Sequence, residues 1–278
     1  MNTRNWYKKA GDTTVEITRD QFLAMNTEKK IYLAENSSIS QDTQLLFFAE
    51  RYEFKGTVLR ALAGNTSILP ETQRLFFTEE YKGDGEALWD LAGNTSITLE
   101  AQRLFFTEEY AGKGGVLQDL ARNTNIHPEI QPLFFTQEYN YKRGTLEHLA
   151  QNNNIAIKTQ RLFFTEEYEN KHTVLGRLAL RKNITPEIQK LFFTTEYEGK
   201  PWALGYLALN TNLAPEIQLL FLAETYVEKS YILLIIAENP SFLRNFTPEQ
   251  LYNIRKSARG QGKFFILKKR LKQIQEAQ

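Results

Sequence analysis

Three consecutive apolar residues, Leu-Phe-Phe, followed by a threonine, two acids and a tyrosine, recur along this chain: QRLFFTEEY stands at 73–81, 102–110 and 160–168. Glutamine leads the motif at Gln44, Gln73, Gln102, Gln131, Gln160, Gln189 and Gln218, each 29 residues after the last. Tyrosine closes it at Tyr52, Tyr81, Tyr110, Tyr139, Tyr168, Tyr197 and Tyr226. A second apolar block keeps step, as LAGNTSI at 62–68 and 91–97, LARNTNI at 120–126 and LAQNNNI at 149–155. Self-similarity at a fixed period is the mark of stacked units, each too small to bury its apolar face alone. The pattern predicts seven copies of one unit.

Each unit predicts two helices. The first begins at the Pro-Glu of PEIQ (128–131, 186–189, 215–218), where proline suits the first helical position and glutamate complements the helix dipole. It is expected to run about 12 residues, roughly 18 Å, through the tyrosine. Gly83, Gly112 and Gly199 then act as terminators. The second helix covers stretches such as GTVLRALAG (56–64) and closes on Asn36, Asn65, Asn94, Asn123, Asn152, Asn210 and Asn239, with Arg181 the one departure. Asparagine tolerates the left-handed conformation that follows many helix ends. Gln102, Phe106 and Tyr110 fall at i, i+4 and i+8, so the amide sits among buried aromatics and is expected to bond a neighbouring unit's loop backbone. No run shows the alternation of a strand.

The expected fold is all-α: a right-handed α-solenoid of seven 29-residue units spanning 37–245, with an N-terminal cap at 1–36 and a capping helix and basic tail at 246–278. TRDQFLAMNTEKKIYLAEN (18–36) matches only the second half of a unit. In the last unit, usually polar positions become Leu234 and Ile235, which TPEQLYNIRKSA (247–258) is expected to cover.

LARNTNIHPEIQPLFF (120–135) and LALNTNLAPEIQLLF (207–221) resemble the LAxNPxTPxELLxxLA pattern of leucine-rich repeat variant proteins, themselves similar to HEAT repeats. The resemblance covers about residues 20–245 and implies a superhelical scaffold used for binding. The unit here is longer than that family's, and threonine such as Thr95 mostly replaces its proline, Pro240 excepted. The iron–sulfur cluster beside some repeats of that family does not carry over to a chain without cysteine.

The lack of cysteine also excludes disulfides and thiolate metal sites. YILLIIA (231–237) is too short to span a bilayer, and the opening residues show no apolar run of a signal peptide. A soluble, cytoplasmic protein without a membrane partner is expected. His127, His148 and His172 occupy different places in their units, so no metal site is expected. There is no P-loop, no Gly-x-Ser-x-Gly elbow and no His-Glu-x-x-His. The pairs Glu79–Glu80, Glu108–Glu109 and Glu166–Glu167 recur in identical surroundings, whereas catalytic carboxylates need unlike ones. With Lys55, Lys113, Lys142, Lys171, Lys200 and Lys229 they read as solvated ladders forming cross-unit ion pairs. Neither an enzymatic activity nor a cofactor is expected.

Function is expected where the units differ. In the second helix Val116, Leu117, Leu120 and Ala121 face inward, while Gly115, Gln118, Asp119 and Arg122 form a variable face. Across units that face carries Trp89, Asp90, His148, Arg177, Trp202, Tyr206 and Leu209, the candidate contacts for a protein partner. Drifted surface is the competing account, but drift favours Lys, Glu and Ser over tryptophan. A second candidate is nucleic-acid binding through Arg255, Lys256, Arg259, Lys263, Lys268, Lys269, Arg270 and Lys272, eight cations with no acid among them. The rest of the chain then carries −7 of the net +1, and its variable face has no arginine stripe.

Overall fold

The computed structural model describes residues 14–78, 80–81, 85–107, 110, 114–136 and 138–223, with residues 232, 235–236, 239, 241–242 and 272. These residues are helical and loop, with no strand beyond an isolated parallel bridge between Val15 and Ile39. A short α1 (Arg19–Leu23) and α2 (Thr27–Ala34) precede the repeats. The first helices of successive units are α3 (Gln41–Ala49), α5 (Pro70–Leu75), α7 (Leu99–Leu104), α9 (Leu133–Thr136), α11 (Ile157–Thr165), α13 (Pro186–Thr194) and α15 (Pro215–Ala223). Alternating with them are the second helices α4 (Lys55–Gly64), α6 (Gly85–Gly93), α8 (Gly114–Arg122), α10 (Lys142–Gln151), α12 (Lys171–Ala179) and α14 (Lys200–Leu209). The chain divides into two compact units, Met1–Thr145 and Leu146–Gln278.

In the first compact unit the aromatic residues stack from repeat to repeat. Phe48 meets Phe76 edge-on at 4.9 Å, Phe77 meets Phe105 at 4.8 Å, and Phe106 meets Phe134 at 4.8 Å. The second phenylalanine of one repeat thus covers the first of the next. Each such ring removed from water contributes roughly 1.5–3 kcal/mol. The glutamine does as expected: Gln73 donates to the carbonyls of Ile68 (3.2 Å) and Ser96 (3.0 Å) and accepts from the Thr98 N–H (2.8 Å). Gln44 and Gln102 repeat that clamp. At the N-terminal end Phe22 packs on Phe47 and Tyr52, and Val15 exchanges backbone bonds with Ser38 and Ser40.

The second compact unit repeats these contacts. Phe164 meets Phe192 at 4.9 Å and Phe193 meets Phe221 at 4.8 Å, again edge-on. Gln189 bonds Ile184, Asn212 and Ala214 as Gln73 bonds its own partners. Helices α12 and α14 pack side by side, burying Val174, Leu175, Leu178, Leu204 and Leu207 completely.

Several local expectations need correction. The first helix is shorter than the predicted twelve residues: α11 and α13 each have nine and stop before the tyrosine. The chain turns back instead, so that the Tyr168 hydroxyl donates to the Phe163 carbonyl at 2.7 Å and Tyr139 to Phe134 at 2.9 Å. Those hydroxyls satisfy carbonyls that the end of a helix leaves without partners. Pro132 shortens α9 further, because its ring cannot sit inside a helix.

The asparagine after the second helix is not left-handed. Asn65 has φ −72° and Asn210 φ −66°. The left-handed residues come instead just before a second helix, at Phe54 (φ 55°), Tyr141 (62°), Asn170 (54°) and Gly199 (69°). Gly199 therefore starts a helix rather than ending one; Gly83 and Gly112 lie outside the described residues.

The repeated lysines are not a solvated ladder either. Lys55, Lys142 and Lys200 are mostly covered, and each Nζ donates to a phenylalanine carbonyl at the end of the preceding helix, at 2.6, 2.8 and 2.6 Å. Lys171 does the same at Glu166. A cation there also favours the negative end of the dipole. Lys142–Glu138, Lys171–Glu167 and Lys200–Glu196 pair within a repeat, and Lys55–Glu80 at 3.8 Å crosses to the next. Glu79, Glu108, Glu109, Lys113 and Lys229 lie outside the described residues, as do Leu234 and the covering helix expected at 247–258.

Candidate functional site

The second helices present the variable face to solvent because their opposite side is filled by the repeated Leu-Ala pairs. On α14, Ala203, Leu204, Leu207 and Ala208 are buried, which leaves Trp202, Tyr206 and Leu209 outward at i, i+4 and i+7. Their exposures are 61%, 40% and 51%. On α12 the same logic turns Arg177 outward, and Leu180, just past the helix end, is 42% exposed. The Tyr206 ring lies against Gly176: a Cβ there would stand 2.5 Å from its Cδ2. Glycine thus lets an aromatic ring from one helix rest on the backbone of its neighbour. Four apolar side chains, three on α14 and one at the end of α12, therefore meet water.

Arg177 borders this patch and reaches Glu147 of α10 at 3.7 Å, longer than a hydrogen bond. His148 lies next to Glu147, half-buried on α10. Lys182 is exposed just beyond Leu180.

Between these two cations lies Arg181, the departure from the asparagine ladder. It is 4% exposed and donates one bond, from Nη2 to the Asn153 carbonyl at 3.2 Å, while Nε and Nη1 have no partner. Burial pushes its guanidinium down to about 10, still cationic at neutral pH. Gln160 Oε1, the acceptor that closes the clamp in other repeats, is also unsatisfied. Arg181 lacks the asparagine oxygen that ties down the following turn in other repeats, as Asn210 Oδ1 does for the Asn212 N–H at 2.8 Å.

The face of the first compact unit has a different character. Trp89 on α6 is 48% exposed, with its indole against Gly115. Around it the charges satisfy one another. Arg60 donates to Glu86 (2.7 Å) and Asp90 (2.9 Å), which raise its already high pKa, and Arg122 pairs with Asp119 at 2.9 Å. Two shallow grooves follow this face. One, of about 550 Å³, is lined by Thr57, Arg60, Thr66 and Asp90, and the other, of about 700 Å³, by Trp89, Asp90, Thr95, Asp119 and Arg122.

The sequence pattern thus places all seven candidate contacts on second helices. The structure gathers Arg177, Trp202, Tyr206 and Leu209 in the second compact unit, and Trp89 with Asp90 in the first. Leu180 and Lys182 complete the former cluster and are not among those candidates. Helical spacing already puts Leu180 on the variable face with Arg177, whereas Lys182, past the irregular Arg181, carries no such signal. Of the basic segment, Arg255, Lys256, Arg259, Lys263, Lys268, Lys269 and Arg270 lie outside the described residues, and Lys272 is helical and exposed. His127 accepts from the Glu129 N–H through Nδ1, and His172 backs Gly199. Among the described residues no three His, Cys, Asp or Glu side chains converge as a metal site, and no helix is long and apolar enough to cross a membrane. Comparison with protein-family models, curated proteins and solved structures finds no match to this chain.

Proposed function

We propose that the chain is an α-solenoid of seven 29-residue repeats, similar in kind to leucine-rich repeat variant and HEAT-like proteins, acting as a non-enzymatic protein-binding scaffold, an adaptor or an inhibitor. The partner lies on the exposed face of the second helices. One observation carries this reading: Trp202, Tyr206 and Leu209 on α14 and Leu180 at the end of α12 are all exposed, although the same two helices bury their other leucines fully. A clustered apolar surface with tryptophan and tyrosine is what an interface core requires. Trp89 gives the first compact unit an exposed ring on the equivalent face. Glu138, Glu167 and Glu196 recur with a lysine four residues on in the same setting, which supports a structural rather than a catalytic role for them.

Affinity capture from native lysate, with and without nuclease, compares wild type with a Trp202→Ala/Tyr206→Ala variant. Partners that survive nuclease and vanish with the variant support the reading; partners indifferent to the variant count against it. A second reading, nucleic-acid binding, rests on the eight cations between Arg255 and Lys272. Nuclease-sensitive recovery that is lost on deleting 255–278 favours it.

A further inference from the structure

The scaffold reading leaves open what kind of segment fits the face, and the charges of the second compact unit bear on that. Along the exposed positions of α12 and α14 the one charged side chain is Arg177; the others are Trp202, Tyr206 and Leu209, joined by Leu180 just past the end of α12. Two more cations follow at the C-terminal edge, Arg181 and Lys182. The carboxylate facing this group from α10 is Glu147, whose side chain is only 18% exposed and holds Arg177 at 3.7 Å. No carboxylate among the described residues pairs with Arg181, and two of its nitrogens are unsatisfied. A buried cation without a counter-charge projects its field further than a solvated one, because little water screens it. The patch is therefore apolar at its centre and positive along one edge.

The grooves of the first compact unit offer a contrast. There the arginines are consumed by Glu86, Asp90 and Asp119 at hydrogen-bonding distance, so little charge is left for a partner. On the second, a carboxylate arriving beside Leu180 meets two exposed cations and gains charge-assisted hydrogen bonds from the Arg177 fork. An approaching lysine or arginine is repelled there.

Resting on the scaffold reading, we propose that the face formed by Leu180, Trp202, Tyr206 and Leu209 takes an acidic segment of a protein partner. Aromatic or aliphatic side chains of that segment pack on Trp202 and Tyr206, and its carboxylates engage Arg177 and Lys182.

The test is a selection of short random peptides displayed against the full chain, followed by binding measurements on the enriched sequences. Two variants serve as counter-screens: Trp202→Ala/Tyr206→Ala, and Arg177→Glu/Lys182→Glu, which alters only exposed side chains and so keeps the test valid where the first variant folds poorly. Circular dichroism verifies the fold of both. The expected result is an enriched pool with net negative charge and interspersed apolar residues, whose binding falls at least about tenfold on each variant. Its affinity also drops as salt rises. Peptides that need the rings but ignore Arg177→Glu/Lys182→Glu, or that are neutral or basic, overturn the acidic partner and leave the docking face standing. Enriched peptides indifferent to Trp202→Ala/Tyr206→Ala, or no enrichment at all, overturn the docking face and the inference together.

Discussion

The Nδ2 of Asn94 lies 2.7 Å from the carbonyl oxygen of Ala63, 31 residues earlier, so the end of α6 closes the end of α4. The same amide reaches the Asn65 carbonyl at 2.9 Å, and its oxygen receives the Ser96 N–H at 2.8 Å. Asn65, Asn123, Asn210 and Asn239 make the same bonds to the repeat before them. In the Asn94 case the amide supplies the buried Ala63 carbonyl at the helix end with a donor and adds a second bond to the Asn65 carbonyl, which also accepts from the Ile68 N–H.

Asn94→Ala therefore removes three bonds and leaves the buried Ala63 carbonyl without this donor, with an expected loss of about 2–3 kcal/mol. Arg181→Asn does the reverse: it restores the ladder and removes a poorly satisfied buried charge, with an expected gain of about 1–2 kcal/mol. Urea unfolding followed by circular dichroism measures both. A loss on Arg181→Asn would show that the guanidinium contributes more where it is than the ladder does.

The glutamine clamps should differ by position. Gln73 makes three bonds, and Gln73→Leu is expected to lose about 2–3 kcal/mol. Gln160 bonds Ile155 at 3.2 Å but has an unsatisfied oxygen, so Gln160→Leu is expected to lose less than about 1 kcal/mol. Equal losses would mean that the clamp is not what the amide is for.

Core and surface rings should separate in the same assay. Phe105 is fully buried against Phe77, and Phe105→Ala is expected to lose about 3–5 kcal/mol. Trp202→Ala, at an exposed ring, is expected to stay within about 1 kcal/mol of wild type. A large loss at Trp202 would make that ring structural rather than a contact.

Gly199 and Gly176 should tolerate alanine differently. At Gly199 φ is +69°, and a Cβ would stand 2.5 Å from the His172 Cγ, so Gly199→Ala is expected to cost about 1–2 kcal/mol. Gly176 is helical, and the crowding group is an exposed ring that can swing away. Gly176→Ala should leave the melting temperature nearly unchanged and displace Tyr206, weakening peptides that bind this face.

Stability should fall steeply above pH 10. Burial raises the phenols of Tyr52, Tyr81, Tyr139, Tyr168 and Tyr197 above their ordinary value of 10.0, so the unfolded chain releases those protons first. Their contribution is present below pH 10 and is lost as pH rises through the higher folded values. Lys30 and Lys55 act in the opposite sense, since burial lowers them and stability rises as pH climbs toward 10.5. Five groups against two decide for a net decline. Denaturation midpoints between pH 8 and 11.5 check this, with tyrosinate absorbance appearing together with unfolding.

The repeat, its two helices and the burial of its phenylalanines were legible in the residues alone. A 29-residue period has one economical physical solution, in which each apolar face is covered by its neighbour's copy. The glutamine was legible too, because an amide spaced four residues from an aromatic that packs in the core must find a backbone partner. The asparagine and lysine roles were not. Both residues recur at 29, but recurrence marks a constraint without naming it, and their partners lie up to 31 residues away or at the far end of a loop.

The candidate face divides in the same way. Helical spacing by itself put Trp202, Tyr206 and Leu209 on the solvent side of α14, because period 3.6 and the buried Leu-Ala pairs leave no other side for them. Only packing decided that Tyr206 lies on Gly176, that the charges around Trp89 neutralise each other, and that Arg181 is buried with two nitrogens unmet. Those are distances between neighbouring helices, and a sequence period specifies which residues repeat but not how far a side chain of irregular length must reach across the junction.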